Sequence, residues 1–320
     1  MLDDLVVIIP TFKAKRTVQK VVDDLRLVGI KQIIVVDDKC PENSGLSVNS
    51  ETCHVIFNNE NMGVGGAFKA GVKYIQTWPK DKQPKFIGKI DADMQHDANA
   101  FKHFLDEAAS SIADYYKGNR YLLNKSPVGQ PAIRLFGNAA LSFMTKLSTG
   151  YWTINDPLHG QFLINFQLIS EFVNKNLLED RYLFETSILI ACCKYKAVVK
   201  DVPSEIVYAD EVSSLSIRKE ISKFFGYHTK CTIKRIISSY LFPNFDLAGF
   251  VFLYGLIALL VSLSMSIKFL HNIFVSNEYA LPSEIGLFTI FVITGIQSIF
   301  FFILADKMEE SKYTPISKYL

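Results

Sequence analysis

The sequence predicts an α/β domain, a parallel sheet covered on both faces by helices, followed by a basic amphipathic segment and two membrane-spanning helices. Three observations carry this. Short β-branched apolar runs alternate with helix-spaced segments through the front of the chain. Residues with polar chemistry gather just past the carboxyl ends of those runs, where open α/β sheets bind ligands. Two late stretches, Leu247 to Ile267 and Ile285 to Ala305, run 21 residues each without a charge. As helix that is roughly 31 Å, the thickness of a bilayer core.

The elements follow in order. Leu5 to Ile9 is an apolar run with the length of a buried strand, closed by Pro10-Thr11. Thr17 to Leu27 carries Val18, Val21, Val22 and Leu25 at helical spacing. Gln32 to Val36 is a second strand, ended by Asp37-Asp38. His54 to Phe57 is a third, followed by Asn58 to Gly63 and a helix from about Gly66 to Gln76. Phe86 to Ile90 is the fourth, with a helix near Ala98 to Ser110. Beyond it, Arg134 to Leu147 and Glu185 to Lys194 have helical patterns, and Gln161 to Ile164 and Ala197 to Val202 are strand-like. No repeat or low-complexity linker interrupts this, so residues 1–212 read as one domain.

The net charge is only +2, which gives no signature of a nucleic-acid partner. Five cysteines (40, 53, 192, 193, 231) show no C-x-x-C spacing and read as reduced thiols of a cytoplasmic domain. Met-Leu-Asp-Asp runs at once into a strand, so no signal peptide is expected. Between residues 213 and 245, Ile217, Ile221, Phe224, Phe225, Ile233, Ile236, Ile237 and Leu241 interleave with Arg218, Lys219, Lys223, Lys230, Lys234 and Arg235. That pattern suits a helix lying on anionic headgroups, the alternative being a solvated basic face. Residues 246–306 would form the two spans and 307–320 a tail. The connecting loop His271 to Glu284 lacks Lys and Arg, whereas the flanks are basic, with Lys307, Lys312 and Lys318 on the far side. The positive-inside rule then puts the domain and both termini at the cytoplasmic face of the cell membrane.

The most informative motif is Asp91-Ala92-Asp93-Met94-Gln95-His96 at the end of the fourth strand. An extended chain points Asp91 and Asp93 the same way, and two hard oxygen donors suit Mg²⁺ or Mn²⁺. An acidic turn capping the next helix, with Asp97 and Asn99, is the alternative. Gly63-Val64-Gly65-Gly66 lacks the third glycine of a dinucleotide fingerprint, and the first strand-to-helix turn has no glycine at all, so that reading is rejected.

Taken in order, the motifs resemble the inverting family-2 glycosyltransferases of the GT-A fold. More narrowly they resemble the polyprenyl-phosphate glycosyltransferases, the group of dolichol-phosphate mannose synthase. The carriers are Val7 to Thr11, Val35 to Asp38, Asn61-Met62-Gly63 with Gly65, Asp91 to His96, Gly118 to Tyr121, Arg134 with Asn138, and Asp156 to Phe162. The resemblance implies a Rossmann-like mixed sheet. It implies a nucleotide sugar, UDP- or GDP-linked, held by Pro10, Thr11, Asp37, Asp38, Asn61, Gly65 and Asp91-Ala92-Asp93. It further implies Mg²⁺ or Mn²⁺ on Asp91, Asp93 and Gln95, and an acceptor phosphate on Arg120, Arg134 and Asn138. Asp156, Asp93 and Arg134 would act at the reacting centre. The blander readings are surface arginines and a turn before Pro157.

Two departures matter. Where many relatives have R-x-x-G-x-S-K, this chain reads Tyr208 to Ser216 with Tyr-Ala-Asp-Glu-Val-Ser-Ser, and the Q-x-x-R-W of processive synthases is absent. The expected reaction is transfer of a single sugar to a polyprenyl phosphate. The alternatives are another lipid or lipid-linked glycan acceptor, or a non-catalytic nucleotide-sugar-binding membrane protein. A homo-oligomer is compatible with so small a membrane module, but no residue specifies one.

Overall fold

The structure is a computed structural model describing residues 2–110, 112–122, 132–206, 217–242, 245–276, 278–310 and 312–316. It divides into two compact units, Met1–His228 with Tyr313–Leu320, and Thr229–Lys312.

The first unit is built on β1 (Leu5–Thr11), β2 (Gln32–Asp37), β3 (His54–Phe57), β4 (Phe86–Lys89), β5 (Tyr115–Asn119), β6 (Phe162–Asn165) and β7 (Val199–Pro203). They form one sheet in the order β3-β2-β1-β4-β6-β5-β7. The sheet is mixed, as the family resemblance implies; only the wholly parallel sheet that the strand–helix alternation suggests needs correction, because β6 runs antiparallel to both β4 and β5. A short apolar run carries no direction of its own; direction comes from the edge at which the preceding loop delivers the chain. Here residues 150–161 lead into β6 at the edge where β4, β5 and β7 end. The consequence is functional: the loop before β6 joins the carboxyl-end loops of its neighbours.

Alternation along the strands feeds two cores. Val6, Ile8, Ile34 and Val36 pack with α2 (Gly63–Gln76), α5 (Phe166–Asn174) and α6 (Phe184–Tyr195). Leu5, Val7, Ile9, Ile33 and Val35 pack with α1 (Val18–Val28) and α3 (Ala100–Ala109). Another helix, α4 (Ala132–Thr149), precedes the loop into β6. The tail belongs to this unit. Tyr313 sets its ring edge-on to Tyr151 at 5.9 Å, and the Ile316 N–H donates to Asp114 Oδ2 at 3.0 Å.

The helix α7 (Ile217–Ile236) runs from one unit into the other. In the first, the buried His228 sets Nδ1 2.8 Å from Ser148 Oγ, on α4. In the second lie α8 (Leu247–His271) and α9 (Pro282–Glu310), both long and apolar enough to cross a bilayer. Only 17% and 11% of their apolar windows are buried, so neither is the core helix of a globular domain. They cross on small residues: a Cβ on Gly255 would come 3.0 Å from Ser298 Cβ. Arg235 forks onto Asp306 at 2.6 and 2.9 Å, and the Tyr240 hydroxyl donates to the same carboxylate at 2.6 Å. This corrects one expectation: Arg235 is buried in an ion pair and is not a cation offered to lipid. The helical span also runs past residue 306, to Glu310.

Candidate active site

The edge formed by the carboxyl ends of β1 and β2 is knitted by two acidic side chains. Thr11, buried, stands beside Asp37 in register, with Pro10 beside Val36. Asp37 accepts the N–H of Cys40 on Oδ1 and that of Gly45 on Oδ2, both at 2.7 Å. Asp38 accepts Asn58 Nδ2 at 2.8 Å and the Met62 N–H at 3.0 Å on Oδ1, and the Gly63 N–H at 2.6 Å on Oδ2. Asn61 returns a bond from Nδ2 to the Asp38 carbonyl at 3.2 Å. The two aspartates therefore shape the rim of this edge by folding the next two loops onto it.

The glycines of the following turn serve close packing. Gly65 and Gly66 donate their N–H groups to the Asp180 carbonyl at 2.8 and 3.1 Å, and a Cβ on Gly65 would overlap the Glu179 carbonyl oxygen. Gly63 adopts φ +82°, which a side chain would resist. Loop 179–181 thus closes over the start of α2, with Arg181 donating to Asn61 O and Oδ1 at 2.9 and 3.1 Å.

At the end of β4 the geometry departs from the extended reading. The strand stops at Lys89, and the chain turns through 92–93 with Met94 at φ +64°, so Asp91 and Asp93 do not share a strand face. Asp91 instead faces Lys89 Nζ at 2.7 Å through Oδ1 and His96 Nε2 at 3.3 Å through Oδ2. Gly160, on the loop before β6, makes room: a Cβ there would overlap Asp91 Oδ2. Asp93 accepts the Gln95 N–H at 3.0 Å and so braces the turn. Lys89 is wholly buried, and it donates also to Gly160 O at 3.0 Å and Glu185 Oε1 at 3.2 Å. Burial alone would drive its ammonium toward neutrality, but the carboxylates of Asp91 and Glu185 outweigh burial and hold it charged above the ordinary lysine range. The same pairing holds Asp91 well below the usual carboxylate range despite its own desolvation.

The loop before β6 contributes a second buried pair. Arg120 forks onto Asp156, Nε to Oδ2 at 2.6 Å and Nη2 to Oδ1 at 3.1 Å. Lys117, fully buried, donates to the Asp156 carbonyl oxygen and to Gly118 O at 3.3 Å. His159 lies 4.9 Å from the His96 ring, and burial pushes it well below the ordinary histidine range, so it is neutral. Its Nδ1 accepts the Gln161 N–H at 3.2 Å, leaving the proton on Nε2.

Three of the expected site groups thus meet at one edge: the turn Asp91–Gln95, the Arg120–Asp156 pair and the rim formed by Pro10, Thr11, Asp37 and Asp38. Arg134 and Asn138 lie on α4, and their side chains fall outside the described residues, as does the whole segment Tyr208 to Ser216. Sequence reasoning missed Lys89, Lys117 and Glu185. A lysine inside an apolar strand run was the available signal, since a buried ammonium demands anionic or carbonyl partners.

Among the described residues no three His, Cys, Asp or Glu side chains gather into a ready ligand set. Asp93 and Gln95, both hard oxygen donors on one tight turn, suit Mg²⁺ or Mn²⁺. Such ions are held by one or two side chains, with water and substrate phosphates completing the shell. Asp91 fits less directly, both its oxygens being engaged by Lys89 and His96.

The profile of glycosyl transferase family 2 matches residues 6–173, from β1 to the end of α5. The chain belongs to this family. A curated relative from Methanococcus voltae, a UDP-N-acetylglucosamine–dolichyl-phosphate N-acetylglucosaminyltransferase, is 26% identical over 228 residues, covering 66% of this chain and 88% of that protein. An uncharacterised protein of Methanocaldococcus jannaschii is 26% identical over 208 residues, 65% of this chain and 83% of its own length. Among solved structures, glucosyl-3-phosphoglycerate synthase of Mycobacterium tuberculosis, complexed with Mn²⁺, UDP and glucosyl-3-phosphoglycerate, superposes with a TM-score of 0.51. It is 13% identical, over 72% of this chain and 79% of that one. Mannosyl-3-phosphoglycerate synthase of Rubrobacter xylanophilus gives 0.51 at 14% identity, with 76% of each chain covered. The fold is GT-A, and this family-2 protein is a glycosyltransferase.

Proposed function

We propose that this glycosyltransferase moves a single sugar, with inversion, from a UDP-linked donor to a polyprenyl phosphate at the cytoplasmic face of the membrane. The observation that carries the reading is an apolar helical hairpin following a family-2 catalytic unit, since an enzyme built onto lipid is suited to a lipid acceptor. The dolichyl-phosphate relative supports the acceptor class, and the UDP complex of the structural neighbour supports the donor.

The site suits this chemistry. A phosphate monoester is largely dianionic at pH 7, its second pKa being about 6, so it arrives as a nucleophile and needs no general base. Asp156 has both oxygens engaged by Arg120 and so serves to hold that guanidinium and the loop before β6 in place. Pro10, Thr11, Asp37 and Asp38 form the rim for base and ribose, while Asn61 and Gly65 fix the turn behind it. Arg120 would take part in receiving the phosphates, a role the family resemblance also gives to Arg134 and Asn138. Asp93 and Gln95 would hold Mg²⁺ or Mn²⁺, which when bound supplies charge neutralisation of the departing diphosphate.

The test is incubation of the full-length protein in vesicles with labelled nucleotide sugars and undecaprenyl phosphate. Labelled product should extract into chloroform and release its sugar in mild acid. No extractable label across a panel of UDP- and GDP-sugars would refute the acceptor assignment.

A further inference from the structure

We propose that Lys89 is a positioning residue, an internal cation that keys the ion-holding turn after β4 to the rest of the site. The inference rests on the transfer reading above and adds to it a residue that neither the family motifs nor the donor chemistry identifies. An ammonium has three N–H donors, and Lys89 places one on each of three separate segments. Asp91 Oδ1 lies on the turn, Gly160 O on the loop before β6, and Glu185 Oε1 on the first turn of α6. Lys89 has no solvent exposure, so water cannot substitute for any of the three partners. The opposite side of Asp91 is closed as well, by His96 and by the backbone of Gly160, which packs so close that a Cβ there would overlap Asp91 Oδ2. With its carboxylate held from both sides, Asp91 becomes the root of the turn. The ion then falls to Asp93 and Gln95, whose positions depend on that root. Glu185 completes the arrangement, because Lys89 faces two carboxylates and is the charge that lets both sit beneath the substrate edge.

Removing such an outer support from a metal site typically costs 10–100-fold in metal affinity. The experiment measures UDP binding to the full-length protein in detergent by calorimetry, with and without Mn²⁺. In Lys89→Met the gain in UDP affinity that Mn²⁺ provides should shrink by about tenfold or more, while metal-free UDP binding stays within about threefold of the native value. The double variant Lys89→Met/Glu185→Gln removes one of the two uncompensated charges. It should recover thermal stability without recovering the Mn²⁺ gain. Gly160→Ala strikes Asp91 from the other side with Lys89 in place, and should lose the gain in the same way. A double variant, or Gly160→Ala, that keeps the native Mn²⁺ gain would overturn the proposal and reduce Lys89 to a charge balance. A native protein with no Mn²⁺ gain would overturn it too. Sugar transfer to polyprenyl phosphate is scored separately. Its absence in the native protein refutes the acceptor reading, while the UDP titrations alone decide Lys89.

Discussion

Cutting the Arg120–Asp156 fork is the most direct probe of how this site is held. The side chains are 14% and 6% exposed and meet through bonds of 2.6 and 3.1 Å, so both charges have left most of their water behind. Removing one partner from such a pair typically costs about 3–5 kcal/mol, because the survivor stays buried and uncompensated. For a domain of this size, each kcal/mol lowers the melting temperature by about 2–4 °C, so Asp156→Leu or Arg120→Met should lower it by about 10 °C. The bond from Lys117 goes to the Asp156 backbone carbonyl and survives either change. The double variant should therefore recover much of the loss, as buried pairs replaced by apolar groups often do. Thermal unfolding of the four proteins in detergent closes a double-mutant cycle, with an expected coupling at least as large as one single effect, about 3–5 kcal/mol. Additive single effects, within about 0.5 kcal/mol, would show that the fork does not form.

Asp93→Ala should abolish transfer and Asp91→Ala should nearly do so, with far-UV circular dichroism unchanged. EDTA should inhibit the native enzyme and Mg²⁺ or Mn²⁺ restore it, whereas full turnover by the Asp93 variant in excess EDTA would refute the metal assignment. Burial depresses His228 to about 4 from its ordinary 6.5, so the native protein keeps it neutral while the unfolded chain takes up a proton as pH falls from 6.5 to 4. Stability should decline across that window by on the order of 3 kcal/mol and level off below it. His228→Gln should lack the decline, as melting temperatures at pH 7.5 and 4.5 would reveal. Replacing the exposed Lys223, Lys230 and Lys234 with Gln should lower transfer to a long-chain acceptor in anionic vesicles, each charge being worth about 1 kcal/mol near the surface, while transfer to a short, water-soluble polyprenyl phosphate survives. Arg235→Gln should instead lower the thermal stability of the helical hairpin and leave the lipid dependence alone.

The legibility of this chain tracks how its buried surface is made. The strands β1 to β4 could be read because they are apolar runs closed by turn residues, and β1 carries Val6 and Ile8 to one core and Val7 and Ile9 to the other. The strand β5 escapes such reading. Its Lys117-Gly118-Asn119 resembles a turn, yet all three are buried, because Lys117 finds two carbonyl oxygens and Asn119 Nδ2 bonds Asp201 at 2.6 Å. Asp156 and Asp201 lie far along the chain, and no local pattern announces them. The same holds at the site. The aspartates at positions 37, 38, 91, 93 and 156 could be located from strand ends and motif order, but their partners could not. Asp37 and Asp38 are spent on backbone N–H groups of the next loops, Asp91 on the lysine that ends the preceding strand, and Asp156 on an arginine 36 residues away. The i, i+2 argument for a shared face failed for a local reason. It assumed extension past Ile90, where the chain already turns.

The apolar helical hairpin is an insertion whose two ends are secured separately. Within the second unit, Arg235 and Tyr240 lie before the first span and Asp306 near the end of the second, and all three meet in one buried cluster. A carboxylate so buried is tolerated because the guanidinium fork and the phenol satisfy it. Within the first unit, Asp114 Oδ2 accepts the N–H of both Val198 and Ile316, at 3.0 Å each, tying the returning tail to the strand that begins at Val199. Two spans return a chain to the side it left. The tail and the catalytic strands share one compact unit, so they must share one face of any membrane the hairpin crosses. The charge asymmetry of the flanks then has to choose only between two orientations, and the proposed one, with the catalytic unit in the cytoplasm, is the one to which the lysine-free loop His271 to Glu284 lends support.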